Sequence, residues 1–265
     1  MADTDAPGLR IDRDGAVLTI AFDRPALRNS FTPKITALLR DVLLESARDP
    51  ALRVVLLRGA GAEAFSAGYD IGALSELAAL GTRPLDDADP YEQANQALLS
   101  HPLPTVARLQ GWVMGGGCAL AVGCDIRIAA DSARFGMPTA KLGVLYGYRD
   151  FAPFLDVIGP AWTRYLFMSG RVIDATTALR IGLVHELVPD SELDEATAGL
   201  VAELARNAPL SVQGTKQVLR LMQPLPGARV RAAIERLMTQ AQSSADLEEG
   251  RQAFLEKRPP SFHGR

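Results

Sequence analysis

Three consecutive glycines, Gly115, Gly116 and Gly117, stand between two short apolar runs and constrain this chain more than any other feature. The run before them, Thr105 to Leu109, has strand character and is set off by Pro104, with a turn at Gln110-Gly111. Behind them, CALAVGC (118–124) reads as one or two turns of buried helix, and Ile126 to Ala129 as a second strand. Glycine admits positive φ and lets another backbone come close. The first N–H groups of a helix have no partner inside it, and the helix dipole favours negative charge there. Such an element can hold a developing oxyanion with main-chain donors. It can equally be a tight turn that packs a small-residue helix on a sheet, and the triplet alone does not separate the two.

A second glycine-rich junction lies upstream. RVVLLRG, from Arg53, reads as a buried strand and runs into GAGAEAFSAGYDIGAL. Gly59, Gly61 and Ala64 fit the loose G-x-G-x-x-A pattern of dinucleotide-binding turns. In that turn a helix begins at about the second glycine, whereas here Phe65 to Asp70 intervenes, with a further glycine at 68. The other reading is a second strand–turn–helix element, FSAGYDI, with a helix from near Asp70, whose carboxylate suits a helix N-terminus.

The remaining pattern is that of a mixed α/β chain. Residues 9–13 and 16–22 read as a hairpin around Asp14-Gly15. Thr32 is a plausible N-cap, with Pro33 at the first helical position and apolar residues at helical spacing to about Arg48. Residues 81–90 read as a polar, mobile surface loop, and Tyr91 to Ser100 as a helix. The stretch from Ala133 to Gly159 carries few regular signals; Trp162 to Met168 is helical, and RVIDATTALRIGLVHELVP reads turn, helix, strand. From Glu192 onward the pattern is helical, broken at Pro209 and at Pro224-Leu225-Pro226. A strand–strand–helix rhythm recurs at 10–48, 53–80 and 104–131. The expected organisation is a core over 1–191 and a helical region over 192–265.

Composition removes several functions. Lysine and arginine number 28 against 31 aspartates and glutamates, so no general basic surface for nucleic acid is expected. No apolar run reaches the length of a membrane span. The N-terminus, MADTDAPGLRID, is acidic and polar without a signal-peptide core, which points to the cytoplasm. Cys118 and Cys124 lie in one apolar segment and read as buried thiols, not as a disulfide or metal pair. His101 and His185 read as loop and strand residues with no partner and no role. No metal site is expected.

The two glycine turns, FSAGYDI and GWVMGGGCALAVGCDIRIAAD, together resemble the crotonase (enoyl-CoA hydratase/isomerase) superfamily. DRPALRNSF, ARFGMPTAKLGV, SGRVIDATTALRIGLVHELVP and SADLEEGRQAFLEKRPPSFHG resemble further motifs of that family, in the expected order over nearly the whole chain. The resemblance implies a spiral of ββα units followed by a C-terminal helical oligomerisation region that builds a homotrimer or a dimer of trimers. It implies an acyl-CoA thioester as substrate, with coenzyme A part of that substrate and no separate cofactor. The thioester oxygen would lie between the backbone N–H groups of Tyr69 and Gly116, next to Gly115. Ala26, Leu27, Arg28, Ala67, Asp70 and Ile71 would line the CoA groove, and Phe254 and Lys257 would contact CoA from the C-terminal helix.

The departures from the family pattern carry as much information. Hydratases of the family use two glutamates as acid and base; the matching positions are Ala119 and Thr139, the latter in the substrate pocket. The main-chain donors are present by sequence and the acid–base pair is absent. Tyr146 is the leading polar candidate, since the family's decarboxylating branch carries a tyrosine in a similar N-L-G-V-P-Y run. That branch has a histidine at the position of Tyr69. Tyr148, Arg149 and Asp150 are further candidates. The expected function is an acyl-CoA-processing hydratase/isomerase-like lyase or isomerase. The alternatives are a carboxyacyl-CoA decarboxylase of the methylmalonyl-CoA kind, or a catalytically weak acyl-CoA-binding member.

Overall fold

The computed structural model describes residues 8–73, 88–222 and 227–262. The chain divides into two compact units, one of residues 1–135 and 173–223, the other of 136–172 and 224–265. The segment beyond residue 192 is shared between them.

The first unit is built on a six-stranded sheet. β1 (Gly8–Asp14) and β2 (Val17–Asp23) form an antiparallel hairpin, paired from Gly8↔Asp23 to Asp14↔Val17. β3 (Val54–Gly59), β5 (Thr105–Leu109), β7 (Ile126–Ala130) and β10 (Glu186–Val188) continue it in parallel, in the order β1-β2-β3-β5-β7-β10. Every residue of β5 is buried, as expected for a parallel strand covered on both faces. A smaller sheet has the order β4-β6-β8-β9, from Ala64–Ser66, Trp112–Met114, Arg134–Gly136 and Val172–Asp174.

Helix α1 (Pro33–Ser46) begins as its sequence dictates: the Thr32 hydroxyl accepts from the Ile35 N–H, and Pro33 fills the first turn. Helix α2 (Pro90–Leu99) packs on α1 and is capped by Asp89, which accepts from the Tyr91 N–H. α3 (Gly116–Gly123) is the glycine-triplet helix, buried over most of its length. α5 (Ala175–Arg180) precedes β10. α6 (Leu193–Arg206) lies over the sheet, with Val201 against Val54 and Val106, and Leu193 against Ile128 and Ala130. α7 (Pro209–Met222) follows.

The second unit contains α4 (Tyr148–Ser169), α8 (Ala228–Gln242) and α9 (Ala245–Leu255). α9 rests on the loop at Leu142-Gly143: a Cβ on Gly250 would lie 2.5 Å from the Leu142 carbonyl oxygen.

Several expectations need correcting. The stretch after Ala133 is far more regular than its sequence suggests. α4 spans Tyr148–Ser169 as two helical segments that meet at Gly159, where φ is 67° and ψ 172°, outside the helical region. The second segment holds the helix expected from Trp162 to Met168, whereas the segment before Gly159 was not expected. Strands β6, β8 and β9, three residues each, are too short for alternation to register. Of the helix expected from near Asp70, Ile71–Ala73 form a 3-10 turn and the residues from 74 lie outside the described residues, as do residues 81–87 of the expected loop and the break at 224–226; Asp89 and Pro90 open α2.

The histidines are also corrected: both have partners. His185 Nδ1 accepts from the Arg127 N–H at 3.1 Å. His101 is buried; its Nε2 is 3.0 Å from the Ser46 hydroxyl and its Nδ1 accepts from the Leu103 N–H. Burial, and then the nearby Lys216 ammonium, lower its pKa to about 4. The folded protein therefore keeps this ring neutral while the unfolded chain protonates it below about pH 6.5. Stability is whole above that pH and falls as acid is added, until the folded-state pKa is reached. Between pH 7 and pH 5 this group should remove about 2 kcal/mol. Urea titrations at both pH values check it, with His101→Gln showing a smaller pH dependence than wild type.

Candidate functional site

The site starts from two turns that leave the sheet at the same end. β3 and β5 are parallel neighbours, with Arg58 opposite Arg108. The segments that follow them, β4 and β6, pair again in parallel, Ala64 with Trp112 and Ser66 with Val113. This brings the turn after β4 against the turn after β6. A Cβ built on Gly68 would lie 2.7 Å from the Met114 carbonyl oxygen and 2.9 Å from the Gly116 nitrogen. Gly68 has φ of 88°, so two demands require glycine there: the backbone conformation and the close approach.

The main chain around Tyr69 runs as a short extended piece. The Phe31 N–H donates to the Gly68 carbonyl, and the Asp70 N–H donates to the Phe31 carbonyl. Alternation along an extended chain turns the Tyr69 N–H to the opposite edge. Gly116 is the first residue of α3, so the helix itself does not use its N–H. Gly115 precedes it with φ of 51° and ψ of −125°, and nothing lies within 4 Å of where its Cβ would be.

The residues expected to line the CoA groove come together in the same place. Ala26 and Leu27 lie in a 3-10 turn, Pro25–Leu27, that ends in Arg28 and Asn29, both with positive φ. The Ala67 N–H donates to the Arg28 carbonyl, and the Ser66 hydroxyl to the Asn29 carbonyl. The buried Asn29 side chain donates to the carbonyls of Ala60 and Ala64 and accepts from the Arg24 N–H. Arg24 reaches Asp70 at 3.2 Å, and Asp70 accepts from the Gly72 N–H to cap the 3-10 turn Ile71–Ala73. Ala26, Leu27 and Arg28 are exposed, and Arg28 pairs with Glu63 at 2.6 Å. The sequence left Asn29, Ser66 and Arg24 without roles; the N of DRPALRN was their one signal.

Ala119 is buried in the second turn of α3. The other expected residues belong to the second unit. Thr139 is buried in the 3-10 turn Pro138–Lys141, and its hydroxyl donates to the Phe167 carbonyl at 3.3 Å. Tyr146 is buried edge-on to Phe167, which also packs against Phe151 and Phe154. Asp150 is buried in the first turn of α4, while Arg149 is exposed. Phe254 on α9 is exposed, and Lys257 follows the helix with φ of 54°. Cys118 and Cys124 are free and buried, and burial raises the Cys124 thiol to about 12, which keeps it protonated. No described helix is long and apolar enough to cross a membrane.

Residues 12–265 match the enoyl-CoA hydratase/isomerase family model. Carnitinyl-CoA dehydratase of Salmonella typhi is 33% identical over 97% of this chain and 98% of its own length. Among solved structures, methylmalonyl-CoA decarboxylase complexed with 2S-carboxypropyl CoA superposes with a TM-score of 0.90 at 27% identity, covering 99% of this chain and all of that one. Carnitinyl-CoA hydratase from Mycobacterium avium gives a TM-score of 0.84 at 32% identity, over 98% of this chain and 100% of its own.

The contact at Gly68 makes a direct prediction. Gly68→Ala adds a methyl group against fixed backbone at positive φ, and should destabilise the protein by about 1–3 kcal/mol. Thermal melting of the variant checks this, with Gly15→Ala, where nothing lies within 4 Å of the added carbon, as the control for positive φ alone. With its sequence, its sheet order and its paired glycine turns in agreement, the chain belongs to the enoyl-CoA hydratase/isomerase family, the crotonase superfamily.

Proposed function

We propose that this protein processes acyl-CoA thioesters by stabilising a thioester enolate between the N–H groups of Tyr69 and Gly116. The reading is supported by the close approach of Gly68 to the Gly116 nitrogen, with Tyr69 next in sequence to Gly68 and Gly116 opening α3. Removing a proton beside a thioester, adding to its enoyl form, or losing CO2 from its α-carbon all place negative charge on the carbonyl oxygen. Fixed donors at that oxygen are worth about 3–4 kcal/mol each in comparable sites. The stitched turns at 25–29 and 66–71 support a CoA groove with Arg28 at its edge, and the family resemblance assigns Phe254 and Lys257 to CoA as well. Coenzyme A enters as part of the substrate, and no separate cofactor is invoked.

The chemistry beyond the hole departs from hydration. Ala119 and Thr139 stand where family hydratases carry glutamates, and neither can move a proton as a carboxylate does. A second reading follows, carboxyacyl-CoA decarboxylation, favoured by this loss and by the likeness to a decarboxylase crystallised with a carboxypropyl-CoA. There the bond from the α-carbon to the carboxylate breaks, CO2 leaves, the electron pair passes to the thioester oxygen, and the α-carbon is protonated afterwards. Tyr146 is the proposed pocket residue for either reaction. We also assign assembly to the region from residue 192, as a homotrimer or dimer of trimers in the cytoplasm. Its support is an exposed apolar set on α7: Leu210, Val218, Leu219, Leu221 and Met222. Sedimentation at micromolar concentration should give a trimer or hexamer, and a monomer would refute the assembly.

Steady-state assays on crotonyl-CoA and on malonyl- and methylmalonyl-CoA test the chemistry. Crotonyl-CoA hydration should run at least about 10²-fold below an ordinary family hydratase, the size of a general acid–base contribution. Ala119→Glu or Thr139→Glu alone should recover little, because groups acting as a unit are not additive. A wild-type kcat/KM on crotonyl-CoA within about 10⁴–10⁸ M⁻¹s⁻¹ would sink the argument. Faster turnover of a malonyl-type thioester selects decarboxylation.

A further inference from the structure

One buried side chain touches both residues of the proposed hole, and no motif points to it. Tyr91, in the first turn of α2, is 1% exposed. Its hydroxyl donates to the Gly116 carbonyl at 3.3 Å. Its ring lies close to the same residue: a Cβ on Gly116 would meet Tyr91 Cε2 at 3.1 Å and Cζ at 3.4 Å. The ring also meets Tyr69 edge-on, with centroids 6.2 Å apart, and stacks on Phe31 at 6.5 Å and 22°. Phe31 is the residue whose backbone holds the Gly68 carbonyl and the Asp70 N–H.

We propose that Tyr91 is a positioning residue that sets the spacing and direction of the Tyr69 and Gly116 donors. The inference rests on the oxyanion-hole reading and deepens it. The two donors come from turns far apart in the chain that meet through the β4–β6 pairing and the Gly68 contact, and Tyr91 is a third element that touches both. Tyr91 does so from both sides: its hydroxyl anchors Gly116, while its ring bears on Tyr69 and on the strand piece that holds Tyr69. α2 is itself held on α1 and capped by Asp89, so the clamp has a rigid base. Fixed geometry matters because a misplacement of about 1 Å at a reacting centre can cost about 10²-fold in rate.

The test uses 2,4-hexadienoyl-CoA, whose absorption moves to the red when its thioester carbonyl is polarised. Wild type should shift it on binding. Tyr91→Phe removes only the hydroxyl and should give a smaller shift with the dissociation constant little changed, since CoA contacts dominate binding. On whichever thioester the wild type turns over, kcat should fall about tenfold at constant KM, the worth of one hydrogen bond. Tyr91→Leu, which also removes the ring, should lose most of the shift. Melting temperatures are recorded alongside. A Tyr91→Phe protein that melts lower yet keeps the full shift and kcat has lost a structural bond only, and overturns the positioning role. A wild type that binds the probe without any shift overturns the hole itself and the role with it, so the two failures are distinct.

Discussion

The approach of Gly68 to the backbone of Met114 and Gly116 is the contact on which the rest of the site depends. It exists because two parallel strands, β3 and β5, send their continuations out at one end of the sheet, and because β4 and β6 then pair a second time. Ligands of parallel α/β sheets gather at the ends from which such turns emerge. A side chain at Gly68 would hold the turns apart, and with them the Tyr69 and Gly116 N–H groups proposed to share one target. Sheet order, glycine placement and main-chain polarity are thus one constraint.

Around that contact the interior is braced by polar groups with their bonds satisfied. Asn29 joins three backbone groups, and Arg127 donates to the carbonyls of Leu183, Val122 and Cys124. Burying such groups is costly unless every bond is made. They tie turns to strands where an apolar residue would leave carbonyls unpaired, and they explain why a chain with small, glycine-rich turns keeps one arrangement.

The residues at the two departures point the same way. Ala119 is packed inside α3, and Thr139 spends its hydroxyl on a carbonyl of α4. Both are part of the protein's framework. The proposed function therefore rests on main-chain donors, for reactions whose charge would arise on the thioester oxygen.

The hairpin, the Thr32 cap, the long parallel strands and the glycine-triplet helix were legible in the sequence because each is decided locally, by alternation, capping or φ. Family membership was legible for a related reason: its motifs are short local signatures in a fixed order. The helical segment from Tyr148 to Gly159 was not, since Pro153 and the glycine that ends it mask its periodicity. Nor were β6, β8 and β9, whose three residues are paired only because neighbours already stand beside them. The partners of His101 and His185, the bracing by Asn29 and the placement of Tyr91 against Gly116 belong to tertiary structure alone. Each joins segments distant in the chain, and no local pattern encodes which buried polar group will face which carbonyl. The sequence by itself determined the locally encoded elements and the family; the meeting of Gly68 and Gly116 was decided only when parallel pairing brought their turns together, and that of Tyr91 with them when α2 packed alongside.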